Sequence, residues 1–449
     1  MIDWAPDATF YHVYPLGLLG APRRNDLAAA PVPRLAALTG WRDHLRSLGV
    51  TALYLGPVFE STAHGYDTID YHAVDRRLGT ADTLREVVDR FHEAGIRVLL
   101  DGVLNHVGRD HWAFRDVRER LADSPYAGWF RNLRFGGRSP AGDPFTYEGW
   151  AGHFDLVALD LASQEVRAHL FDAVTAWFER FDIDGLRLDA ADVIDLDFLR
   201  ALASHVRAQR PDAWLVGEVV HGDYARWANP EMLDSVTNYE AYKGLWSSLV
   251  DVNYFEIAYA LERQFGAGGI YRGLPLYNFV DNHDVDRVAS LLPRAEQLYP
   301  LHCLLFTMPG VPSIYAGSEW GIEGRRRPGD DSALRPALDL ATAPLAGRSP
   351  ELATAIGRLA RVRAGSVALR RGDYRQLHVG HEQLAFAREK DGERVVVMLN
   401  AARESVAFDL DMRGSVAVDL LDHRERLPIA TGRLRAIVPP SWARIMRVE

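Results

Sequence analysis

Between residues 9 and 316 the chain repeats one pattern, a short apolar run rich in branched and aromatic residues followed by a stretch with helical spacing. The strand-like runs fall at 9–17, 52–58, 97–104, 184–191, 214–219, 235–238, 276–281 and 313–316. Helical periodicity covers 35–48, 81–94, 165–181 and 196–209, and Gly49 and Gly95 supply stops. The run 97–104 is apolar without alternation, which suits a strand buried on both faces of a parallel sheet. Eight such strands with helices between them predict the α/β class, as a closed (β/α)8 TIM barrel.

Two stretches break the pattern. Residues 107–158 are dense in Gly, Pro and aromatics and too long for an ordinary connection, so they predict a small excursion domain B after the third strand. From 366 to 449 short runs at 383–388, 394–399, 406–410, 416–420 and 435–438 alternate with turn residues, predicting a C-terminal antiparallel β-sandwich. The barrel then takes 1–106 and 159–365.

Composition narrows the partners. A formal net charge of -10 supplies no basic footprint for a nucleic acid. No apolar run approaches the ~20 residues of a membrane span, and the first residues lack the basic-then-apolar order of a secretion signal. A cytoplasmic enzyme without nucleic-acid or membrane partners is expected; its oligomeric state is not legible. The single cysteine, Cys303, excludes an internal disulfide and lies in the apolar run 301–308, as a buried structural thiol would.

Barrel enzymes carry their active sites at the C-terminal ends of the strands. There the sequence offers Asp101, Asn105 and His106 after the third strand, Arg187 and Asp189 on the fourth, Glu218 ending the fifth, and His283 with Asp284 ending the seventh. His64-Gly65-Tyr66-Asp67 follows the second. Taken alone, an Arg–Asp pair or a lone histidine at a strand end is as often structural. Several carboxylates on one rim, however, are costly to bury without partners, and two at one site are the equipment of a glycosidase.

A strand puts Arg187 and Asp189 on one face, where the guanidinium keeps the carboxylate ionised as a nucleophile requires. Glu218, between Val216-Gly217 and Val219-Val220, has the apolar local sequence that suits a carboxyl holding its proton. Asp284 is a third carboxylate, His106 and His283 can donate to sugar hydroxyls, and Tyr66 offers a flat face to a sugar ring. Trp112 and Trp150 are the candidates for a cleft wall within 107–158. No phosphate-binding loop, Gly-x-Ser-x-Gly elbow or His-Glu-x-x-His motif competes.

At these residues the chain resembles the α-amylase superfamily of retaining glycoside hydrolases, in motif style the cyclomaltodextrinase and neopullulanase group. The ordered motifs are Asp101-Gly-Val-Leu-Asn105-His106, Gly185-Leu-Arg187-Leu-Asp189, Gly217-Glu218-Val219 and Phe279-Val-Asp281-Asn282-His283-Asp284. Gly65-Tyr66-Asp67-Thr68 and the segment 310–317 also match. The resemblance implies Asp189 as nucleophile, Glu218 as acid/base and Asp284 as transition-state stabiliser, with Arg187, His106, His283 and Tyr66 lining the subsite of the attacked glucose; Asp101, from its strand end, and Trp150, from the cleft wall, are further substrate-binding candidates. It implies no required cofactor; calcium is common in such relatives and leans on the residue matching Asn105, but no further ligands are recognisable.

Asp192 and Val193 stand where many starch-type members carry Lys-His, and Ala158 stands where the neopullulanase pattern has lysine. The expected activity is hydrolysis of α-1,4 bonds in a small-molecule α-glucan, a short malto-oligosaccharide or cyclodextrin, by double displacement. The alternatives are transglycosylation or sugar isomerisation on the same site, and, more remotely, an inactive binding subunit.

Overall fold

All eight expected barrel strands form, most of them shorter than their apolar runs: β1 (Phe10–Val13), β2 (Ala52–Leu55), β3 (Arg97–Gly102), β4 (Gly185–Leu188), β5 (Trp214–Gly217), β6 (Ser235–Val236), β7 (Tyr277–Phe279) and β8 (Val311–Tyr315). The computed structural model describes residues 2–422 and 425–449. The chain divides into two units, one mainly of Val13–Arg42 and Ala52–Val236, the other of Asp3–His12, Asp43–Thr51 and Thr237–Glu449.

In the first unit β2, β3, β4, β5 and β6 are parallel neighbours in that order. Gly185 lets β4 approach β5, because a Cβ there would lie 2.1 Å from the Trp214 carbonyl oxygen. The helix Gln164–Phe181 buries Val166, Leu170, Val174, Trp177 and Phe181, an apolar stripe of helical period. Ser163 caps its start and Asp182, at φ 56°, ends it. Trp177 stacks on Phe59 at 4.3 Å and donates its indole N–H to the Tyr71 carbonyl at 2.7 Å.

Residues 107–158 build on an antiparallel sheet of His106–Gly108, His153–Ala158 and Gly149–Trp150. Phe114, on the helix Trp112–Arg120, packs against Phe130, Phe145 and Tyr147. Arg109 grips Asp143 with two hydrogen bonds of 2.7 and 2.8 Å. Phe114, Trp129, Phe130, Phe145 and Tyr147 are therefore core.

In the second unit β1, β8 and β7 pair in parallel. Eight parallel strands with intervening helices are the (β/α)8 class expected from the sequence. Behind β7 and β8 lies a buried polar network. Glu319 accepts from the Tyr11 hydroxyl at 2.7 Å and the Gly317 amide at 2.8 Å, and Asp281 from Ser318 at 2.5 Å and the Val288 amide at 2.9 Å. Burial, then the charge of Glu319, pushes the Tyr11 hydroxyl up, and burial likewise raises Asp281. Cys303 is buried in the helix Leu298–Thr307, and burial pushes its thiol up.

The C-terminal part is an eight-stranded antiparallel sheet: β9 (Asp373–Val379), β10 (Gln383–Lys390), β11 (Glu393–Asn400), β12 (Val406–Asp411), β13 (Val416–Asp419), β14 (Arg426–Ala430), β15 (Arg433–Val438) and β16 (Trp442–Val448), in the order β9-β10-β11-β16-β13-β14-β15-β12. Its core joins Ala385, Val396 and Met398 to Phe408, Leu410, Leu434 and Met446. The strands β9, β14 and β16 had no counterpart in the sequence reading. Among the described residues no helix is long and apolar enough to cross a membrane.

Candidate active site

The fourth strand ends one residue earlier than its chemistry. β4 stops at Leu188, Asp189 donates its amide to the Gly102 carbonyl at 3.1 Å, and Ala190 turns through a left-handed φ of 48°. The run 189–191, expected as strand, is thus a tight turn, and a non-glycine residue in that region carries backbone strain. The turn is used: the Ala190 amide donates to Glu218 Oε2 at 3.1 Å.

Arg187 is the hub of the first unit's site. Its Nη1 contacts Asp101 at 2.9 Å and Asp189 Oδ1 at 2.9 Å, and its Nη2 lies 2.8 Å from Glu218 Oε2. The guanidinium is buried; desolvation opposes its charge, but Asp101 and Glu218 hold its pKa well above the ordinary arginine value. The apolar setting expected for Glu218 is therefore corrected. A guanidinium and a backbone amide meet its Oε2, features invisible in the residues flanking it.

Asp101, expected against the sugar, is instead sealed, with a side-chain exposure of 0%. It accepts from Tyr54 at 2.6 Å and Tyr66 at 3.2 Å as well as from Arg187. Its place is behind Arg187, positioning it. Tyr54 was missed because a tyrosine inside an apolar strand reads as core. Tyr66 is brought to this cluster by the turn that Gly65 opens at φ 87°, closed by Asp67 Oδ1 accepting from the His64 and Gly65 amides at 3.0 and 3.1 Å. Gly108 is needed beside it: a Cβ there would sit 2.4 Å from the Asp67 carbonyl oxygen.

His106 is buried, and desolvation, helped by the neighbouring His64, lowers its pKa to about 3, so the ring is neutral. Its Nε2 has no hydrogen-bond partner among the described residues and lies 4.0 Å from Asp189 Oδ2. An orphaned buried ring nitrogen beside a carboxylate is a position for a ligand hydroxyl. Trp150 stands next to it, ring centroids 5.6 Å apart, at the corner of a two-residue hairpin through Ala151 and Gly152, both at positive φ. Trp112, the other candidate for the cleft wall, is placed elsewhere: it packs edge-on against Tyr126, Trp129 and His169.

In the second unit Asp284 is held by its near neighbours. Its carboxylate meets His283 Nε2 at 2.9 Å and Arg335 Nη2 at 2.7 Å, and its amide donates to Asn282 Oδ1 at 2.8 Å. Arg335 also donates to the His283 carbonyl at 3.0 Å and pairs with Asp331 at 2.9 Å. Sequence reasoning missed Arg335, which lies in a stretch without periodicity. Asp192 is tied to the Glu218 loop, accepting from the Val220 amide at 3.4 Å, while Val193 is exposed.

Asn105 is the residue on which calcium would lean if the ion is bound. Its Oδ1 is buried without a partner, but among the described residues no three acidic, histidine or cysteine side chains are arranged to hold a metal ion. Calcium takes six to eight oxygens, and no chemical step is assigned to the ion.

Residues 35–352 match the alpha amylase catalytic domain, and residues 374–445 match the maltogenic amylase C-terminal domain. A cyclomaltodextrinase of a Bacillus species is 32% identical over 88% of this chain and 73% of its own. Neopullulanase 2 of Thermoactinomyces vulgaris is 31% identical over 94% of this chain and 74% of its own. Among solved structures, the cyclic α-maltosyl-(1→6)-maltose hydrolase of Arthrobacter globiformis, in complex with that cyclic sugar, superposes with a TM-score of 0.83 at 27% identity, covering 99% of both chains. With more than half of the chain, residues 35–352, matching the catalytic domain, and strand-end carboxylates arranged around arginines, the chain belongs to the alpha-amylase family and is a glycoside hydrolase acting on α-glucans.

Proposed function

We propose that this enzyme cleaves α-1,4 bonds of short malto-oligosaccharides or cyclodextrins by double displacement, with Asp189 as nucleophile, Glu218 as acid/base and Asp284 stabilising the transition state. The observation that carries the mechanism is the single guanidinium of Arg187 bonded to both Asp189 and Glu218. Two carboxylates tied to one guanidinium suit the spacing of about 5–5.5 Å found in retaining enzymes better than the roughly 6.5–9.5 Å of inverting ones. In the first step Glu218 gives its proton to the departing glycosidic oxygen as Asp189 attacks C1, forming a glycosyl ester. In the second, Glu218 takes a proton from water, which attacks C1 and releases Asp189. Neutral His106, with an orphaned Nε2 close to Asp189, would hold a hydroxyl of the attacked glucose.

The substrate class rests on the relatives, named for cyclomaltodextrins, and on the matched maltogenic-type C-terminal domain. A second reading, cyclic α-maltosyl-(1→6)-maltose as substrate, is supported by the TM-score of 0.83 to that hydrolase in complex with this sugar. One experiment tests both. Maltotetraose, β-cyclodextrin, the cyclic maltosyl-maltose, pullulan, soluble starch, sucrose and trehalose are incubated with enzyme, products are sized, and the anomer released first is read by proton NMR. The proposal expects fastest turnover on maltotetraose or β-cyclodextrin with the α-anomer first. Initial release of the β-anomer would refute double displacement, and a dominant rate on the cyclic maltosyl-maltose would select the second reading.

A further inference from the structure

The second unit carries a groove of about 940 Å³ that shares no residue with the carboxylate groups described above. The volume is at the upper end of small-ligand sites, about 300–1,000 Å³. Its lining includes Arg294, Arg348, Arg403, Glu296, Tyr299 and Trp442, with prolines between them. Three guanidinium groups face one carboxylate, on a chain whose net charge is -10. A positive island on an acidic protein is a local attractor for anions.

The arginines are held in ways that keep their charge available. Arg294 donates to the Ala401 carbonyl at 2.7 Å, and Arg348 to the Ala289 and Leu292 carbonyls at 2.5 and 3.0 Å. Carbonyls fix a guanidinium without neutralising it. Arg348 has one acidic neighbour, Glu323 at 3.6 Å, which is itself 56% exposed, and Arg403 has no carboxylate partner among the described residues. The groove also takes in the start of the helical run Ala295–Gln297 and Leu298–Thr307, whose amino-terminal end adds partial positive charge. Beside this charge, Tyr299 and Trp442 form a corner, ring centroids 5.7 Å apart and planes at 59°. Aromatic and proline faces pack well against the C–H face of a pyranose.

A neutral glucan would use the rings and waste the charge; inorganic phosphate would do the reverse. We propose that this groove binds a hexose phosphate, its phosphate held by the arginines and its ring packed in the Tyr299–Trp442 corner. Arginine is suited to the task because its planar fork matches phosphate oxygens. Such a ligand would report the state of sugar metabolism to an α-glucan hydrolase from outside its catalytic residues.

Isothermal titration calorimetry of the full chain with glucose 1-phosphate and glucose 6-phosphate tests the proposal, with AMP, inorganic phosphate and maltotriose as comparators. At least one hexose phosphate is expected to bind more tightly than every comparator. Arg403→Glu and Trp442→Ala should each weaken it by about tenfold or more, the weight of a lost charge-assisted contact. Glu296→Gln should tighten it, an outcome that a folding defect cannot imitate. The proposal is overturned if neither hexose phosphate binds, if binding ignores Arg403→Glu and Glu296→Gln, or if a comparator matches the hexose phosphates in an Arg403-dependent way. In that last case phosphate would mark a bare anion site, AMP a base-stacking site and maltotriose a glucan site.

Discussion

Arg187 Nη2 lies 2.8 Å from Glu218 Oε2, so the proposed acid of this glycosidase rests against a buried positive charge before substrate arrives. The same guanidinium touches Asp189, and the two proposed catalytic carboxylates are thus set by one side chain. Replacing Arg187 with lysine keeps a charge but cannot reach Asp101, Asp189 and Glu218 at once. We expect Arg187→Lys to lower kcat by about 10²-fold or more, as misplacement of reacting groups does, with a smaller change in KM. A kcat within a few-fold of the native value would show that Arg187 is dispensable for positioning.

Removing the nucleophile's charge should be more severe. Asp189→Asn is expected to fold normally and to lose roughly 10³-fold or more in kcat, as expected of a group essential to the transition state. Mass spectrometry of native enzyme with a slow fluoro-sugar substrate should trap a glycosyl ester on Asp189. Label found only on another carboxylate would reassign the nucleophile.

Arg335 holds Asp284 at 2.7 Å in the second unit. If Asp284 acts in the transition state, Arg335→Met should reduce kcat by about 10–100-fold while KM moves little, and Arg335→Lys should recover part of it. A variant changed only in KM would place Arg335 in substrate binding instead.

How far the sequence alone revealed this site depended on whether a residue's role was local. Asp189, Glu218 and Asp284 stand at strand ends, where apolar runs break into polar residues, and the period of the pattern exposes them. Tyr54 and Asp101 are a long-range pair whose partner is Arg187; nothing adjacent to either one announces it. Arg335 reaches Asp284 across 51 residues. The missed strands follow the same logic. In β9 only Tyr374 is fully buried, so no alternation marks it, and β14 carries a proline, Pro428, that argues against a strand by composition. Trp112 and Trp150 were equivalent as letters, and only packing separated them.

Trp150, adjacent to His106, should contribute to binding more than to stability. Trp150→Ala is expected to raise KM for maltotetraose by about tenfold, the weight of one lost ring-stacking contact, with little loss of Tm. An unchanged KM with a lowered Tm would assign it to the core.

His106 and His111 are both buried and neutral, and burial lowers each to about 3. In the unfolded chain they take up protons below about pH 6.5, while in the fold they do not. Stability is therefore fully present above pH 6.5 and falls as the pH drops toward 3, by about 1.4 kcal/mol per pH unit for each such site. His111 also caps the helix Trp112–Arg120 through Nδ1 at 3.3 Å. Asn can keep that cap without titrating, so His111→Asn should flatten the decline of Tm between pH 6.5 and 5. An unaltered slope would show that other groups govern acid unfolding.

Asp101, Asp189 and Glu218 all meet Arg187, and with Glu218 carrying the proton it donates, two further carboxylates still lie against that guanidinium. A neutral glucose ring has no charge with which to answer them. A sugar caught while its glycosidic bond is breaking does, because C1 and the ring oxygen then carry an oxocarbenium charge. Carboxylates gathered on that guanidinium set a field that welcomes that fleeting cation more than the substrate or product on either side of it. Nitrogen-ring sugars that are protonated at neutral pH should accordingly bind this enzyme more tightly than their uncharged counterparts of the same shape.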